Sequence, residues 1–304
     1  LPMLAVRTPV TTSVPPEGVS LASGTAVTPL TIPLPLGGYV THTVIHTDGV
    51  TVLGTYYTLA GENEVHVAGA RPILPRTSRN IHQPDTIAHG VLMIGGTFTD
   101  VLNIDPAVSR VLTDDVYSKP EPVYFDRGWY PSQLAAINRF LTADGQSRER
   151  LVVVPGQFRA NSNGQGRTGT QRLYTNLQFE VYHAPFTVTD FTPPGIWQVE
   201  VISGTGGITF RALVDDDEDV PAGLKRVVAL YHEAGKYSWR LEELHYNASS
   251  GYFEGTTGPT SEPIRYFFQA VDSAGNVALA LEHGAPFDKV KVLNSVYLPL
   301  VIKN

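Results

Sequence analysis

The chain has 304 residues, of which 42% are hydrophobic and 17% charged, with a formal net charge of −7 at pH 7. The sequence has no basic cluster, which argues against a nucleic-acid partner because phosphate contacts need grouped Lys and Arg side chains. No stretch approaches the ~20 consecutive apolar residues of a membrane-spanning helix. The absence of cysteine excludes disulfides, thiolate catalysis and Cys-based zinc sites.

The composition favours β structure, since turn-forming Gly (28) and Pro (23) are plentiful and Thr, Val and Tyr suit pleated surfaces. The predicted fold class is all-β (mostly): a β-sandwich domain with one short helix, then an immunoglobulin-like sandwich, plus an extended N-terminal arm. The predicted divisions are an arm at 1–36, a mostly β domain at 37–190, the second sandwich at 191–283 and a β tail at 284–304.

Near the amino end, apolar residues alternate with proline and threonine. The apolar set is Leu30, Ile32, Leu34 and Leu36, and the alternating set is Pro29, Thr31, Pro33 and Pro35. Successive strand residues point to opposite faces and opposite edges, so the apolar side chains share a face and the prolines share an edge that lacks donors. The pattern predicts an outer strand that completes either its own sheet or that of a neighbouring molecule.

The next segments predict short strands separated by turns. A hairpin is expected at 39–59, with the turn at Thr47-Asp48-Gly49. A single helix is expected at 132–142, where Ser132 is a candidate cap and Leu134, Ile137 and Leu141 recur at helical spacing. Further strands are predicted at 64–68, 90–94, 108–113, 151–158 and 170–182.

A second group of strands follows the predicted linker Thr192-Pro193-Pro194-Gly195. Their number and spacing are typical of an immunoglobulin-like sandwich, with Trp197 and Trp239 available for its core. The predicted strands are 196–203, 207–214, 225–232, 237–245, 251–255, 263–272 and 276–282.

Three segments resemble parts of known secreted proteins. Residues 225–232, Trp239 and Ile264–Val277 resemble bacterial extracellular immunoglobulin-like or fibronectin type III-like repeats, whose final hairpin often carries an Asp-x-x-Gly-Asn turn. Residues 152–158 and 169–181 resemble the closing hairpin of the propeptide domain that precedes gingipain-type cysteine peptidases. The ending 296–303 resembles the carboxyl ends of secreted proteins from filamentous green non-sulfur bacteria. All three resemblances imply an extracellular or cell-surface location.

The sequence offers few candidates for ligand sites. Asp215, Asp217 and Asp219 form an Asp-x-Asp-x-Asp run that could hold calcium, although the glycine and glutamate of the helix–loop–helix calcium motif are missing; the alternative is a solvated acidic loop. Asn247 begins an Asn-x-Ser sequon in a predicted turn. Residues 164–169 match a dinucleotide fingerprint, but the segment after them alternates as a strand, so no nucleotide site is expected.

No arrangement of residues predicts catalysis, and no cysteine could serve as a peptidase nucleophile. The leading hypothesis is a non-enzymatic extracellular structural protein that polymerises head-to-tail with itself by donating Leu30, Ile32, Leu34 and Leu36 to a neighbour. One alternative is an accessory or pro-region module of a secreted peptidase, with the arm folded onto its own sheet. Another is a carbohydrate-binding surface module that uses exposed Tyr residues and Trp129 to bind glycans.

Overall fold

A computed structural model describes residues 29–110, 123–161, 167–204, 206–216, 220–259, 263–282, 286–289 and 300–301. Most of the predicted arm, Asp217, Asp219 and most of the predicted tail lie outside these residues. The described residues form strands and turns, which confirms the all-β class. None of them forms a helix with the length and hydrophobicity of a membrane span.

Twenty strands make up the described structure. The first eleven are β1 (Pro29–Pro35), β2 (Tyr39–Ile45), β3 (Val52–Leu59), β4 (Val65–His66), β5 (Leu74–Pro75), β6 (Thr77–Asn80), β7 (Thr86–Ile104), β8 (Ala135–Leu141), β9 (Ser147–Val153), β10 (Gly156–Ala160) and β11 (Gly169–Pro185). The others are β12 (Gly195–Gly204), β13 (Gly207–Asp215), β14 (Leu224–Glu233), β15 (Ser238–Asn247), β16 (Tyr252–Thr257), β17 (Ile264–Asp272), β18 (Val277–Leu281), β19 (Phe287–Lys289) and β20 (Leu300–Val301).

Two long antiparallel strands, β7 and β11, form the spine of what we call the long sheet. β11 pairs with β7 along its whole length. Its other edge is shared end to end by β10, which pairs with residues 169–173, and β1, which pairs with residues 176–182. Both edges of β11 are therefore filled, and β1 is the outermost strand on that side.

β1 pairs with β11 of its own chain, in register from Pro29 opposite Tyr182 to Pro35 opposite Asn176. Just beyond it the Leu36 N–H donates to the Thr175 carbonyl at 3.0 Å, so even-numbered residues direct their backbone groups toward β11. The odd-numbered positions, three of them proline, then face the free edge. That edge offers one backbone donor between residues 29 and 35, at Thr31.

The apolar side chains of β1 pack on the core of the same molecule. Leu34 is 1% exposed, and Ile32 and Leu36 pack against the same cluster while partly buried. Leu30 is half-buried, and Thr31 is exposed. The predicted outer strand is confirmed, and the sheet that it completes is its own.

A small sheet of three strands, in the order β6-β9-β8, covers one face of the long sheet. Leu151 and Val153 of β9 are fully buried in one cluster with Leu34, Phe179 and Val181. Alternation along these strands sends every second side chain into the shared core.

The carboxy-terminal half contains the strands β15-β14-β17-β18, in that order, which we call the central sheet. This sheet continues the long sheet, because β15 pairs with β7 at residues 238–239, and it is apolar on both faces. Along β14, Val227 and Ala229 belong to one core cluster, while Val228 and Leu230 belong to the cluster that also holds β1 and β11. β14 and β17 therefore read as nearly continuous buried runs, as strands covered on both sides do.

An outer sheet of β12, β13, β16 and the end of β15 covers the second face of the central sheet. Phe210 of β13, Phe268 of β17 and Phe287 of β19 fill the core between the two sheets. This two-sheet arrangement is a β-sandwich. Its assignment as immunoglobulin-like, and the domain boundaries, remain predictions.

The helix predicted at 132–142 is wrong, because residues 135–141 form β8, antiparallel to β9. The helical spacing does not mark a common buried face, since Leu141 is 74% exposed. The face that packs inward has period two: Ala135 lies opposite Val153 and Ile137 opposite Leu151. Pairing with β9 overrode a local pattern that was compatible with either structure.

The strand predictions differ mainly in extent. The segment predicted at 90–94 is the centre of the 19-residue β7, and the single strand predicted at 151–158 is divided between β9 and β10. Of the strand predicted at 108–113, residues 108–110 form only an isolated bridge between Val108 and Pro72, and residues 111–113 lie outside the described residues. The hairpin of β2 and β3 is confirmed, with Tyr39 opposite Leu59.

We expect Leu34→Ala to lower the free energy of unfolding by ~2–5 kcal/mol, because a fully buried side chain would leave a cavity beside β11. Thr31→Ala, on the exposed side of the same strand, should change it by less than ~0.5 kcal/mol. Urea unfolding monitored by fluorescence measures both. Equal effects of the two substitutions would contradict the burial of β1 in its own molecule.

Candidate functional site

A cavity of about 620 Å³ lies where the long sheet, the small sheet and the central sheet meet. Its walls come from β7, β8, β10, β11, β15, β17, β18 and the segment that leads into β12. Both apolar and polar groups form these walls, and the apolar side chains include Met93, Ile137, Phe179, Phe267 and Leu279. A concave, largely apolar space with a few polar groups is the usual form of a ligand site.

At one end of the cavity, β7 lies close to the turn between β17 and β18. A Cβ atom at Gly90 would lie 2.5 Å from both the Gly275 carbonyl oxygen and a methyl group of Val277. Only glycine lets β7 come this near to the turn between β17 and β18.

Asn276, in that turn, forms hydrogen bonds to the segment that connects the two halves of the chain. Its Nδ2 donates to the Asp272 carboxylate at 2.9 Å, to the Asp190 carbonyl at 3.2 Å and to the Thr192 carbonyl at 3.3 Å. Its backbone N–H also donates to Asp272, at 2.8 Å. The Asp-x-x-Gly-Asn turn thus holds residues 190–192 against the end of the central sheet.

His89 lies between this turn and the cavity. Its Nδ1 is 3.3 Å from Asn276 Oδ1, and its ring stacks on Phe191 with centroids 4.4 Å apart. Burial lowers the pKa of His89, and the nearby Arg139 charge adds to that effect. The imidazole is therefore neutral at pH 7.

Side chains replace strand pairing along the edge of β7 that faces the cavity. Gln269 of β17 donates to the Met93 carbonyl at 2.8 Å and accepts from the Met93 N–H at 3.0 Å. Glu149 accepts from the Ala88 N–H at 3.1 Å, and Arg139 donates to the Ala88 carbonyl. These contacts satisfy a sheet edge that would otherwise be buried without partners.

A buried arginine lies on the long sheet outside the cavity. Arg172 of β11 is 1% exposed and makes two hydrogen bonds to Asp100 of β7, at 2.8 and 3.0 Å. Its guanidinium carbon lies 3.7 Å from the ring centroid of Phe98 and 4.2 Å from that of Trp129. The carboxylate and the two rings replace the water that the charge loses.

His232 of β14 is enclosed by aromatic rings. Trp239 and Phe98 meet its ring edge-on at centroid distances of 4.5 and 5.4 Å. Burial lowers the pKa of His232 to about 4, and the charge of Arg172 adds to the effect. Asp272 shows the opposite shift, because burial raises the pKa of its carboxyl to about 6 despite the hydrogen bonds from Asn276.

The structure does not bring the predicted site residues together. Asp215 lies exposed at the end of β13, Asp217 and Asp219 lie outside the described residues, and the calcium site stays a prediction. Asn247 ends β15, and its Nδ2 already donates to Glu254 at 2.9 Å. Trp129 is 5% exposed, which contradicts its predicted role as an exposed platform for sugars.

Sequence reasoning missed His89, Gln269 and Arg139 as parts of one site. The sequence does contain a signal for Asn276, because this residue closes the Asp-x-x-Gly-Asn turn. Trp239 was predicted only as a core residue. Each of the missed side chains contacts backbone or side chains far away in sequence, and no local motif records such contacts.

No protein-family model matches the chain, and no curated protein is similar to it. Among solved structures, the chain is similar to a complex of the pro- and mature domains of RgpB from Porphyromonas gingivalis. The identity is 19%, over 54% of this chain and 83% of that one, with a TM-score of 0.37. It is also similar to a structure on the zymogenic latency of gingipain K from the same organism, with 14% identity over 52% of this chain and 100% of that one, at a TM-score of 0.33. Both likenesses are weak at these TM-scores.

Removing the partner of the buried arginine should be costly. We expect Asp100→Ala to lower the free energy of unfolding by ~3–5 kcal/mol, because Arg172 would keep its charge without a carboxylate. The matched control is Arg240→Ala, which breaks an exposed pair with Glu233 and should cost ~1 kcal/mol or less. Urea titration of both variants checks the difference, and similar losses would contradict the assigned role of Asp100.

Two buried groups should make opposite contributions to the pH dependence of stability. The native pKa of Asp272 lies above its ordinary value of 3.8. Its stabilising contribution is therefore fully present below pH 3.8 and is lost as pH rises through about 6. The native pKa of His232 lies below its ordinary 6.5, so its contribution is present above pH 6.5 and lost as pH falls toward 4. Each contribution is ~3 kcal/mol from the pKa difference.

Relative to the wild type, Asp272→Asn should therefore become less stable at pH 4 than at pH 7. His232→Phe should show the reverse, with its largest relative gain at pH 4. Free energies of unfolding measured between pH 4 and 7.5 test both signs. Parallel curves for the wild type and a variant would show that the group does not titrate as assigned.

Proposed function

We propose that the chain is a non-catalytic accessory or pro-region module of a secreted peptidase and acts outside the cell. The observation that carries this proposal is the position of β1, which pairs with β11 of its own chain. The strand that would link subunits in a filament is already used inside the molecule. Of the functions that the sequence left open, a pro-region module is the one that expects the arm on its own sheet.

The resemblance to the propeptide domain of gingipain-type peptidases supports the same class. Its residues, 152–158 and 169–181, fall on the end of β9, on β10 and on β11. β11 is the strand on which β1, β7 and β10 all pair. The resemblance therefore concerns the centre of the long sheet rather than a peripheral loop.

The exposed edge of β1 gives a second argument against strand exchange. A neighbour that added there would find prolines at positions 29, 33 and 35 and a single donor at Thr31. Swapping β1 between molecules would first require Leu34 to leave its buried site. Both features favour a molecule that remains a monomer.

Three of the described histidines contact hydroxyl or amide groups rather than carboxylates. His42 contacts the Thr58 hydroxyl at 2.8 Å, His66 contacts the Tyr130 hydroxyl at 2.9 Å, and His89 contacts Asn276. None of these three contacts places a histidine between a carboxylate and a nucleophile, as a hydrolytic triad requires.

Two measurements test the proposal. Light scattering after size exclusion should give the mass of a monomer at all accessible concentrations. The chain should also slow hydrolysis of a fluorogenic peptide by mature RgpB or gingipain K in proportion to its concentration. A papain-like peptidase of unrelated fold is the control and should be unaffected.

Fibres or concentration-dependent polymers would overturn the proposal in favour of the filament hypothesis. A monomer that leaves both gingipain-type peptidases fully active would also overturn it. Equal inhibition of the papain-like control would show non-specific binding and count against a pro-region role.

A further inference from the structure

Two buried polar atoms without partners line the cavity defined above, among the residues that the structure describes. They are Nε2 of His89 and Nε1 of Trp239. Trp239 lies beside Tyr174, whose hydroxyl donates to Gln157 at 2.9 Å. Buried polar atoms in native proteins nearly always have a partner, so a molecule bound in this cavity could supply the missing hydrogen bonds.

The hydrogen-bond network fixes the character of His89 Nε2. Asn276 Nδ2 donates to Asp272, Asp190 and Thr192, so the Asn276 atom that faces His89 is Oδ1. An amide oxygen can only accept, so His89 must be the donor in this hydrogen bond. His89 Nδ1 therefore carries the proton, and Nε2 is a bare acceptor. Trp239 Nε1 can only donate. The cavity is therefore complementary to a ligand that has both a hydrogen-bond donor and a hydrogen-bond acceptor, as a secondary amide has.

Open strand edges border the same cavity. The Val154 N–H donates to the Leu134 carbonyl at 2.8 Å, so even-numbered residues of β8 face β9. By alternation, Ala135 and Ile137 direct their backbone groups away from β9, and no described strand pairs with that edge. On β7, the Met93 N–H points toward Gln269 on the cavity side. Because backbone direction alternates along a strand, the backbone groups of Val91, two residues earlier, point to the same side.

The charge on the cavity wall excludes an ionic ligand. Arg139 is the lining residue with a formal charge at pH 7, and Glu149 neutralises it at 3.0 Å. A charged ligand would lose water without gaining a free counter-charge. The apolar residues of β7, β17 and β18 instead suit aliphatic side chains.

We propose that this cavity binds an extended, uncharged, apolar peptide segment that adds as a strand to the open edge of β8. Its backbone N–H and C=O groups pair with Ala135 and Ile137, and it supplies a donor to His89 Nε2 and an acceptor to Trp239 Nε1. Strand addition gives the affinity, and the apolar walls select the side chains. The proposal stands on the cavity alone and does not depend on the proposed role as a pro-region module.

The indole N–H signals of the three tryptophans allow a direct test in ¹H–¹⁵N spectra of the full chain. They are assigned by Trp129→Phe, Trp197→Phe and Trp239→Phe. The probe is acetyl-Ala-Val-Ala-Val-amide. We expect a saturable shift of the Trp239 signal, while the signal of Trp197, which is 60% exposed on β12, stays in place.

Three further probes identify what is recognised. A version of the peptide with alternate amides N-methylated should bind about fivefold to tenfold more weakly for each lost hydrogen bond. An acidic peptide, acetyl-Ala-Glu-Ala-Glu-amide, should not bind measurably. N-methylacetamide, a single amide without side chains, should not saturate the signal at the concentrations at which the peptide does.

A variant pair tests the histidine. His89→Phe retains a ring on Phe191 but removes the acceptor, and should weaken peptide binding about fivefold to tenfold. His42→Phe removes a histidine that stacks on Tyr56 at 4.8 Å, outside the cavity, and should leave binding unchanged.

Several results would overturn the proposal. They are the absence of a saturable Trp239 shift, equal binding of the N-methylated or acidic peptide, and saturation by N-methylacetamide at the same concentration, which would indicate a small amide rather than a peptide. The comparisons among probes use the wild-type chain, so they decide the question even if His89→Phe does not fold. Inhibition of a peptidase is not a readout here, so this proposal and the proposed function can fail separately.

Discussion

The antiparallel ladder between β7 and β11 is the constraint on which the rest of the structure depends. The two strands run side by side from Thr86 to Ile104 and from Gly169 to Pro185. β1 and β10 pair on one edge of this ladder, β15 pairs on the other, and the small sheet packs across one face. Four register shifts interrupt the ladder, and such irregularities bend and twist long strands.

Burial of the central sheet on both faces joins the two halves of the chain. Val228 and Leu230 face the core that contains β1, while Val227 and Ala229 face the outer sheet. The cavity lies where the long, small and central sheets meet. Gln269, Glu149 and Arg139 complete the hydrogen bonding of β7 where no strand reaches it.

The same junction concentrates the polar groups with unusual environments. Asn276, Asp272 and His89 lie at its edge, and His232 and Trp239 lie deeper, beside Phe98. A low-dielectric interface raises the pKa of a carboxyl and lowers that of an imidazole, which is the direction found at Asp272 and His232. The chemical character of the site thus follows from the burial of one interface rather than from a motif.

Local sequence patterns predict the all-β class, the alternation of β1, the hairpin of β2 and β3, and the turn at Asn276, because period-two patterns, proline positions and turn residues act locally. Tertiary structure decided that β1 completes its own sheet, that residues 135–141 are a strand, and that His89, Gln269 and Trp239 share a cavity. An edge strand has the same pattern whichever sheet receives it, and a short apolar run is compatible with helix or strand until a neighbour such as β9 pairs with it. Contacts between residues more than a hundred positions apart leave no signature in a single sequence, since their energy exists only once the sheets have packed.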